Sequence, residues 1–348
     1  MTPASTEGLH PYVSPAAWKR GSFASEDQWI HQLTQNEIQE LDAALAQAKQ
    51  TGKPMSQLQR DDFPLPSLAS IVGSWLRELD RGRGFLLVRG VPVERYGDAD
   101  AALVYWGLGL HLGTAVSQNA SGDLLGHVRD VGLERADPSL RLYKTREQLG
   151  FHTDGADIIG LLCLRPAKSG GVSRIASSVT IFNEILRRRP DLVPVLFEPF
   201  HFDRNDEQAP GEPPFFSLPL CFDVDGQLRT FYIGWYIRDA QRHPEVPRLT
   251  PAQAEVIDLI DTIAATPEFH LDMDFRAGDI QLLKNSVILH ARTNYEDHDE
   301  PQRKRHLLRL WLTAHADFRD GSELLRSGIP VKEGAESDLS DGQRVEEV

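Results

Sequence analysis

The segment Phe151-His152-Thr153-Asp154-Gly155 runs into the apolar stretch Ile158-Ile159-Gly160-Leu161-Leu162-Cys163-Leu164 and then the turn Lys168-Ser169-Gly170-Gly171. An apolar run of this length between turn signals reads as a buried strand. Residues i and i+2 of an extended chain point to one side, so His152 and Asp154 can offer an imidazole nitrogen and a carboxylate oxygen to a single ion. The spacing alone does not discriminate. It recurs at His201/Asp203, His270/Asp272 and His315/Asp317, with His-x-Glu at His243/Glu245 and His298/Glu300. His201/Asp203 lacks the apolar strand and Gly-Gly turn that follow, His270/Asp272 lies close upstream of the next histidine of interest, and His315/Asp317 comes after the arginine-bearing strand described below.

A second unit of the same kind supplies a third donor. Arg276-Ala277-Gly278-Asp279 reads as a turn, Ile280-Gln281-Leu282-Leu283 as a strand, Lys284-Asn285-Ser286 as a turn, and Val287-Ile288-Leu289-His290 as a strand. Two imidazoles and one carboxylate form the donor set that leaves positions open on Fe(II) for oxygen chemistry. Downstream, Lys304-Arg305-His306-Leu307-Leu308-Arg309-Leu310-Trp311-Leu312 alternates so that Arg305, Leu307, Arg309 and Trp311 share a face. Two guanidinium groups on one strand face suit a planar carboxylate, which a 2-oxo diacid presents at its far end. A phosphate or sulfate site would use the same pair.

From about Gly84 to Leu312 the chain resembles the Fe(II)/2-oxoglutarate-dependent oxygenases of the taurine dioxygenase and clavaminate synthase-like type. The likeness is densest in Gly84-Phe85-Leu86-Leu87-Val88-Arg89-Gly90, in Phe151 to Ser173, and in Gly278 to Arg309. It implies a double-stranded β-helix (jelly-roll) core, mainly β with flanking helices, and an iron held by His152, Asp154 and His290. It also implies 2-oxoglutarate and O2 as cosubstrates, with succinate and CO2 released as a small molecule is oxidised. Arg305 would take the distal 2-oxoglutarate carboxylate, Arg309 the iron-chelating end or a substrate anion, and Ser173 the place of a cosubstrate-touching threonine. Arg305 lies fifteen residues after His290, a slightly long gap, so Arg309 is its rival for the main cosubstrate contact. A carboxylate at position 154 speaks against halogenation. Gln118, Asn119 and Gln148 precede the metal motif where related enzymes place substrate contacts, and each reads equally well as a loop amide bonded to backbone.

Composition bounds the remaining possibilities. At 348 residues, 41% hydrophobic and 25% charged, the chain is ordinary for a globular protein with a large core. A formal charge of −14 argues against nucleic acid and against an anionic membrane surface. Cys163 and Cys221 sit in apolar contexts and read as small buried hydrophobes. With no long apolar span or signal segment evident, a cytoplasmic protein is expected. Oligomeric state is open.

The expected organisation is a surface segment over residues 1–25, one oxygenase domain over 26–318, and an acidic, disordered tail over 319–348. Within that tail, residues 331–348 hold two basic and six acidic side chains. A helix capped by Thr34 and Glu37 carries Ile38, Leu41, Leu45 and Ala48; a second follows Pro66-Ser67; another is expected from Asp98 or Asp100 through Trp106. Thr250-Pro251-Ala252-Gln253 opens a further helix. Residues 201–249 form a long insertion, strand-like over Gln227 to Ile237, of the kind that covers an active site. The alternatives are the same cofactor chemistry giving desaturation or ring formation, and a redox-inert jelly-roll metalloenzyme, which would need no arginine strand.

Overall fold

A computed structural model describes residues 10–132, 144–209, 211–314 and 328–331. The apolar run is the strand Ile158–Arg165, in the middle of a seven-stranded sheet. Its hydrogen-bonded order is Ile30–Gln32, Phe85–Arg89, Ile280–Lys284, Ile158–Arg165, His306–Ala314 and Gly113–Ala115, and Leu125–Val128 also pairs with His306–Ala314. Only the Ile30–Gln32 and Phe85–Arg89 pair is parallel. A four-stranded sheet, His270–Met273, Ser173–Ser177, Ile288–Arg292 and Leu149–His152, faces it, and the two do not close into a barrel.

Period-two alternation sorts the large sheet's side chains into two cores. Phe85, Leu87, Ile159, Cys163, Leu283, Leu307 and Trp311 point between the sheets, joining Ile175, Leu271 and Ile288 of the small sheet. Leu86, Val88, Leu162, Leu164, Leu282, Leu308 and Leu310 point outward, under the helices Gln35–Gln50, Leu68–Arg81 and Val93–Leu112. A strand buried on both faces must be apolar throughout, which is why Ile158–Arg165 carries no alternation of polarity. On the far side, the helices Ser178–Arg188 and Pro251–Ala265 pack on each other and on the small sheet.

Several expectations are corrected. The third helix does run from Asp98, but a short turn from Val93 precedes it across the non-helical Gly97 (φ 71°), and it continues past Trp106 to Leu112. Gln227 to Ile237 is not one strand: a strand Gln227–Thr230 gives way to the helix Gly234–Asp239, which carries Trp235 and Tyr236. The N-terminal segment is more than a surface cover, since Ala16 and Trp18 are buried and the Trp18 indole donates to the Arg83 carbonyl at 2.9 Å. Both cysteines are buried and free. Most of the 319–348 tail, and His315/Asp317, lie outside the described residues. Among the described residues, no helix is long and apolar enough to cross a membrane.

Candidate metal centre

His152 and His290 are directly opposite one another across the antiparallel pair Leu149–His152 and Ile288–Arg292. Cross-strand neighbours bring their side chains together on one face, so two histidines 138 residues apart in chain order become adjacent. Their rings lie 4.1 Å apart, centroid to centroid. Asp154 follows in the turn after His152, and the donor atoms of the three residues fall within 4.8 Å of one another. Among the described residues this is the sole such cluster of three.

Each donor is prepared for a cation. His152 Nδ1 lies 2.8 Å from the Gly150 carbonyl, so that nitrogen carries the proton and Nε2 keeps its lone pair. Burial and the neighbouring His290 pull the His152 imidazole down to about 3, which keeps it neutral near pH 7. Burial acts to raise the Asp154 carboxyl, yet Arg309 and the two histidines outweigh it and hold the group well below the usual carboxylate range. Asp154 Oδ1 is 3.8 Å from His152 Nε2, and Oδ2 is 3.5 Å from His290 Nε2. Two imidazoles and one ionised carboxylate, all buried, fit a divalent iron.

The surroundings hold Asp154 from two directions. Its backbone N–H donates to Asn285 Oδ1 at 2.8 Å, and Asn285 Nδ2 donates to its carbonyl at 2.6 Å. Trp311 Nε1 donates to Oδ2 at 3.0 Å. Asn285 and Trp311 were invisible as site residues in the sequence, where one reads as a turn and the other as strand core. Thr153, between the two donors, points away from the cluster: its N–H donates to the Tyr232 carbonyl at 2.7 Å and its hydroxyl accepts the Tyr232 N–H at 2.9 Å. This clamp brings the insertion to the site. Ile233 bridges to His152, and the Trp235 ring meets the His152 ring edge-on at 4.9 Å.

The two arginines take different places. Arg309 is on the strand His306–Ala314 and faces the site: Nε donates to Gln118 Oε1 at 2.7 Å, the guanidinium lies 4.8 Å over the Trp311 ring, and Nη1 is 3.8 Å from Asp154 Oδ2. Arg305 precedes that strand, separated from its regular part by a register shift between His306 and Leu307. The extra residue of that shift is Leu164 on the neighbouring strand, so the alternation of the arginine strand itself runs on and Arg305 faces the same inner side, near Cys163 and Arg292. Arg305 is 4% exposed, stacks 5.0 Å from the Tyr295 ring, and its Nη1 has no hydrogen-bond partner among the described residues. Burial lowers its guanidinium from the ordinary value. A second buried cation, Arg292, lies close enough that burial and Arg305 together pull it down to about 10. Arg292 pairs in register with Ser173 and donates to the Thr145 carbonyl at 2.8 Å. Nothing in the sequence singled it out except its position two residues after His290.

The remaining expected site residues separate. Ser173 is buried and exchanges hydrogen bonds with the Gln281 side chain at 3.3 and 3.1 Å. Gln118 is buried beside Arg309, with Nε2 donating to the Arg309 and Leu124 carbonyls. Asn119 spends its side chain on its own turn, with Ser121 and Asp123. Gln148 is exposed. The other His-x-Asp pairs among the described residues, His201/Asp203 and His270/Asp272, are bonded to other partners. Asp203 binds Arg242 and His243, His201 binds Ser217, His270 Nδ1 meets the Ala264 carbonyl, and Asp272 binds Arg174.

Comparison with known proteins gives a consistent result. A family model described as taurine catabolism dioxygenase TauD, TfdA family matches residues 49–311. The chain is 33% identical over 311 residues to FR-33289 synthase of Streptomyces rubellomurinus, covering 87% of this chain and 90% of that one. It is 32% identical over 305 residues to the taurine hydroxylase-like protein SAT17 of Stachybotrys chartarum, covering 84% and 77%. In fold it is similar to asparagine oxygenase solved with Fe(II), 3-hydroxyasparagine and succinate, at a TM-score of 0.65 and 15% identity, covering 87% of this chain and 99% of that one. With the match spanning both strand–turn units and the arginine strand, the chain belongs to the TauD/TfdA family of dioxygenases.

Proposed function

We propose that this enzyme hydroxylates a small molecule bearing an anionic group, an amino acid or small organic acid, with His152, Asp154 and His290 as its iron ligands. In this reading Arg305 and Ser173 serve 2-oxoglutarate and Arg309 the substrate. Fe(II) with 2-oxoglutarate and O2 supplies the oxidising power, and succinate and CO2 leave as the cosubstrate's products. The observation that carries the reading is the placement of Arg309, a buried cation held by Gln118 and facing the same carboxylate that would bind the metal. A guanidinium fixed there orients an anion while the reacting carbon is presented to the centre.

The chain's own groups have separable tasks. Neutral His152 and ionised Asp154 bind without first losing protons. The incompletely hydrogen-bonded Arg305 fork, buried over Tyr295, suits a carboxylate that replaces its lost water. Ser173 is adjacent in the sheet to the histidine strand, which supports a cosubstrate contact once its hydroxyl turns from Gln281. Gln118 acts through Arg309; Asn119 and Gln148 have little support as substrate contacts. Ile233 and Trp235 exclude water from the His152 side. The relative solved with 3-hydroxyasparagine and succinate supports hydroxylation of an amino acid as the first substrate class to try.

The test is conversion of 2-oxoglutarate to succinate with and without Fe(II), across a panel of L-amino acids and small organic acids. Fe(II)-dependent succinate formation stimulated by an anionic member, with a product heavier by one oxygen, is expected. Absence of any Fe(II)-dependent succinate across the panel would overturn the assignment.

A further inference from the structure

We propose that Trp311 is a positioning residue for the metal centre, its indole N–H locking the Asp154 carboxylate while its ring face seats the Arg309 guanidinium beside that carboxylate. The inference rests on the reading of His152, Asp154 and His290 as the iron ligands. It concerns how one of them is held.

The need for a lock follows from the geometry. Asn285 brackets the backbone of Asp154 through both its N–H and its carbonyl. That bracket leaves the side chain free about its terminal torsion, which joins an sp3 to an sp2 carbon and is intrinsically soft. Trp311 Nε1, donating to Oδ2 at 3.0 Å, is the group that fixes it. The indole is 3% exposed and faces the space between the sheets. Its six-membered ring lies against the turn after Asp154, where a β-carbon at Gly155 would sit 3.5 Å from Cζ3.

The same ring has a second task. Arg309 and Asp154 are opposite charges in a buried setting, with Nη1 and Oδ2 at 3.8 Å. A direct salt bridge would compete with a cation for the carboxylate. Gln118 draws the guanidinium through Nε, and Trp311 supports it from below at 4.8 Å. Edge toward the ligand and face toward the cation, one indole keeps the carboxylate presented to a metal. Groups that orient metal ligands in this way typically change metal affinity by about 10–100-fold when removed.

The test measures binding of Co(II), an O2-stable stand-in for Fe(II), to the full chain by calorimetry and by its visible absorption. Three variants are compared with the native protein: Trp311→Phe, which keeps a ring face and loses the N–H; Trp311→3-benzothienylalanine, which keeps the indole shape with sulfur in place of the N–H; and Asp154→Ala. The expected result is a Kd raised about tenfold or more in both Trp311 variants, an altered Co(II) spectrum, and an unchanged melting temperature for the metal-free proteins. Native Kd and spectrum in the benzothienylalanine variant would overturn the proposal, even if the Phe variant binds poorly or fails to fold, because ring volume would then be the cause. Failure of the ligand assignment reads differently: the native chain would not bind Co(II), or Asp154→Ala would bind it equally well.

Discussion

At the residue scale, Asp154 is the most exacting position. It is ionised in a buried place because Arg309 and two imidazoles surround it, so its removal would delete a proposed metal ligand and leave those groups without their anion. Asp154→Ala is expected to lose Fe(II) binding and all succinate formation while remaining folded, measured by metal titration and far-UV circular dichroism. Asp203→Ala and Asp272→Ala, whose carboxylates bind Arg242 and Arg174, should keep the metal. Iron loss in either, with Asp154→Ala still loaded, would move the site. The arginines give a second prediction from their different surroundings. Arg305→Ala should raise the KM for 2-oxoglutarate by an amount equivalent to about 2–5 kcal/mol, the usual cost of losing a desolvated charge pair. Arg309→Ala should leave that KM nearly unchanged and instead weaken the anionic substrate, so that more 2-oxoglutarate is consumed per product formed. Titrating both variants with 2-oxoglutarate at saturating iron decides it, and a large KM effect confined to Arg309→Ala would exchange the two roles.

At the scale of elements, what could be read from the chain was what local chemistry determines. Thr34 and Glu37 form the expected reciprocal cap, with the Thr34 N–H donating to Glu37 Oε2 at 2.6 Å, and Thr250 with Gln253 does the same before Pro251–Ala265. The strands Ile158–Arg165 and Ile288–Arg292 were legible because buried strands are continuous apolar runs bounded by turns, whereas the short strand Leu149–His152 carries no such run. Three features were not. Gly97 kinks a helix through its own left-handed φ, a bulge at Leu164 shifts the pairing of the arginine strand with its neighbour, and Gly234 opens a helix inside an aromatic stretch whose composition favours strand. Each depends on partners distant in sequence. The Thr153 clamp is of that kind, and its strength can be measured. Thr153→Val keeps volume but leaves the buried Tyr232 N–H without the hydroxyl it now meets at 2.9 Å, which should cost about 1–3 kcal/mol in denaturant unfolding. Because Tyr232 leads directly into Ile233 and Trp235 over His152, the same variant should also consume 2-oxoglutarate without substrate oxidation at a higher rate. A stability and coupling ratio equal to those of the native enzyme would show that the insertion is held by other contacts.

At the scale of the whole molecule, the proposed metal centre lies where the two sheets meet. His152 and His290 belong to the small sheet, whereas Asp154 is fastened to Asn285, in the turn after Ile280–Lys284, and to Trp311, both from the large sheet's strands or their ends. An ion bound by all three side chains therefore ties one sheet to the other, and unfolding either sheet must release it. Ligands that bind only the folded state stabilise it by mass action, about 2.7 kcal/mol at roughly a hundredfold excess over Kd. Saturating Co(II) is accordingly expected to raise the thermal midpoint of the native chain, with the gain reversed by chelator and absent in Asp154→Ala. The separate helix layer, packed on the outer face of the large sheet, shares none of these ligands. Thr34→Ala, which removes a cap in that layer, should lower the midpoint of metal-free and metal-bound protein alike, by the equivalent of about 1 kcal/mol. A midpoint that ignores Co(II) in the native chain while calorimetry shows binding would mean that the site is confined to one sheet's local structure, and that the sheets are joined by their shared apolar core alone.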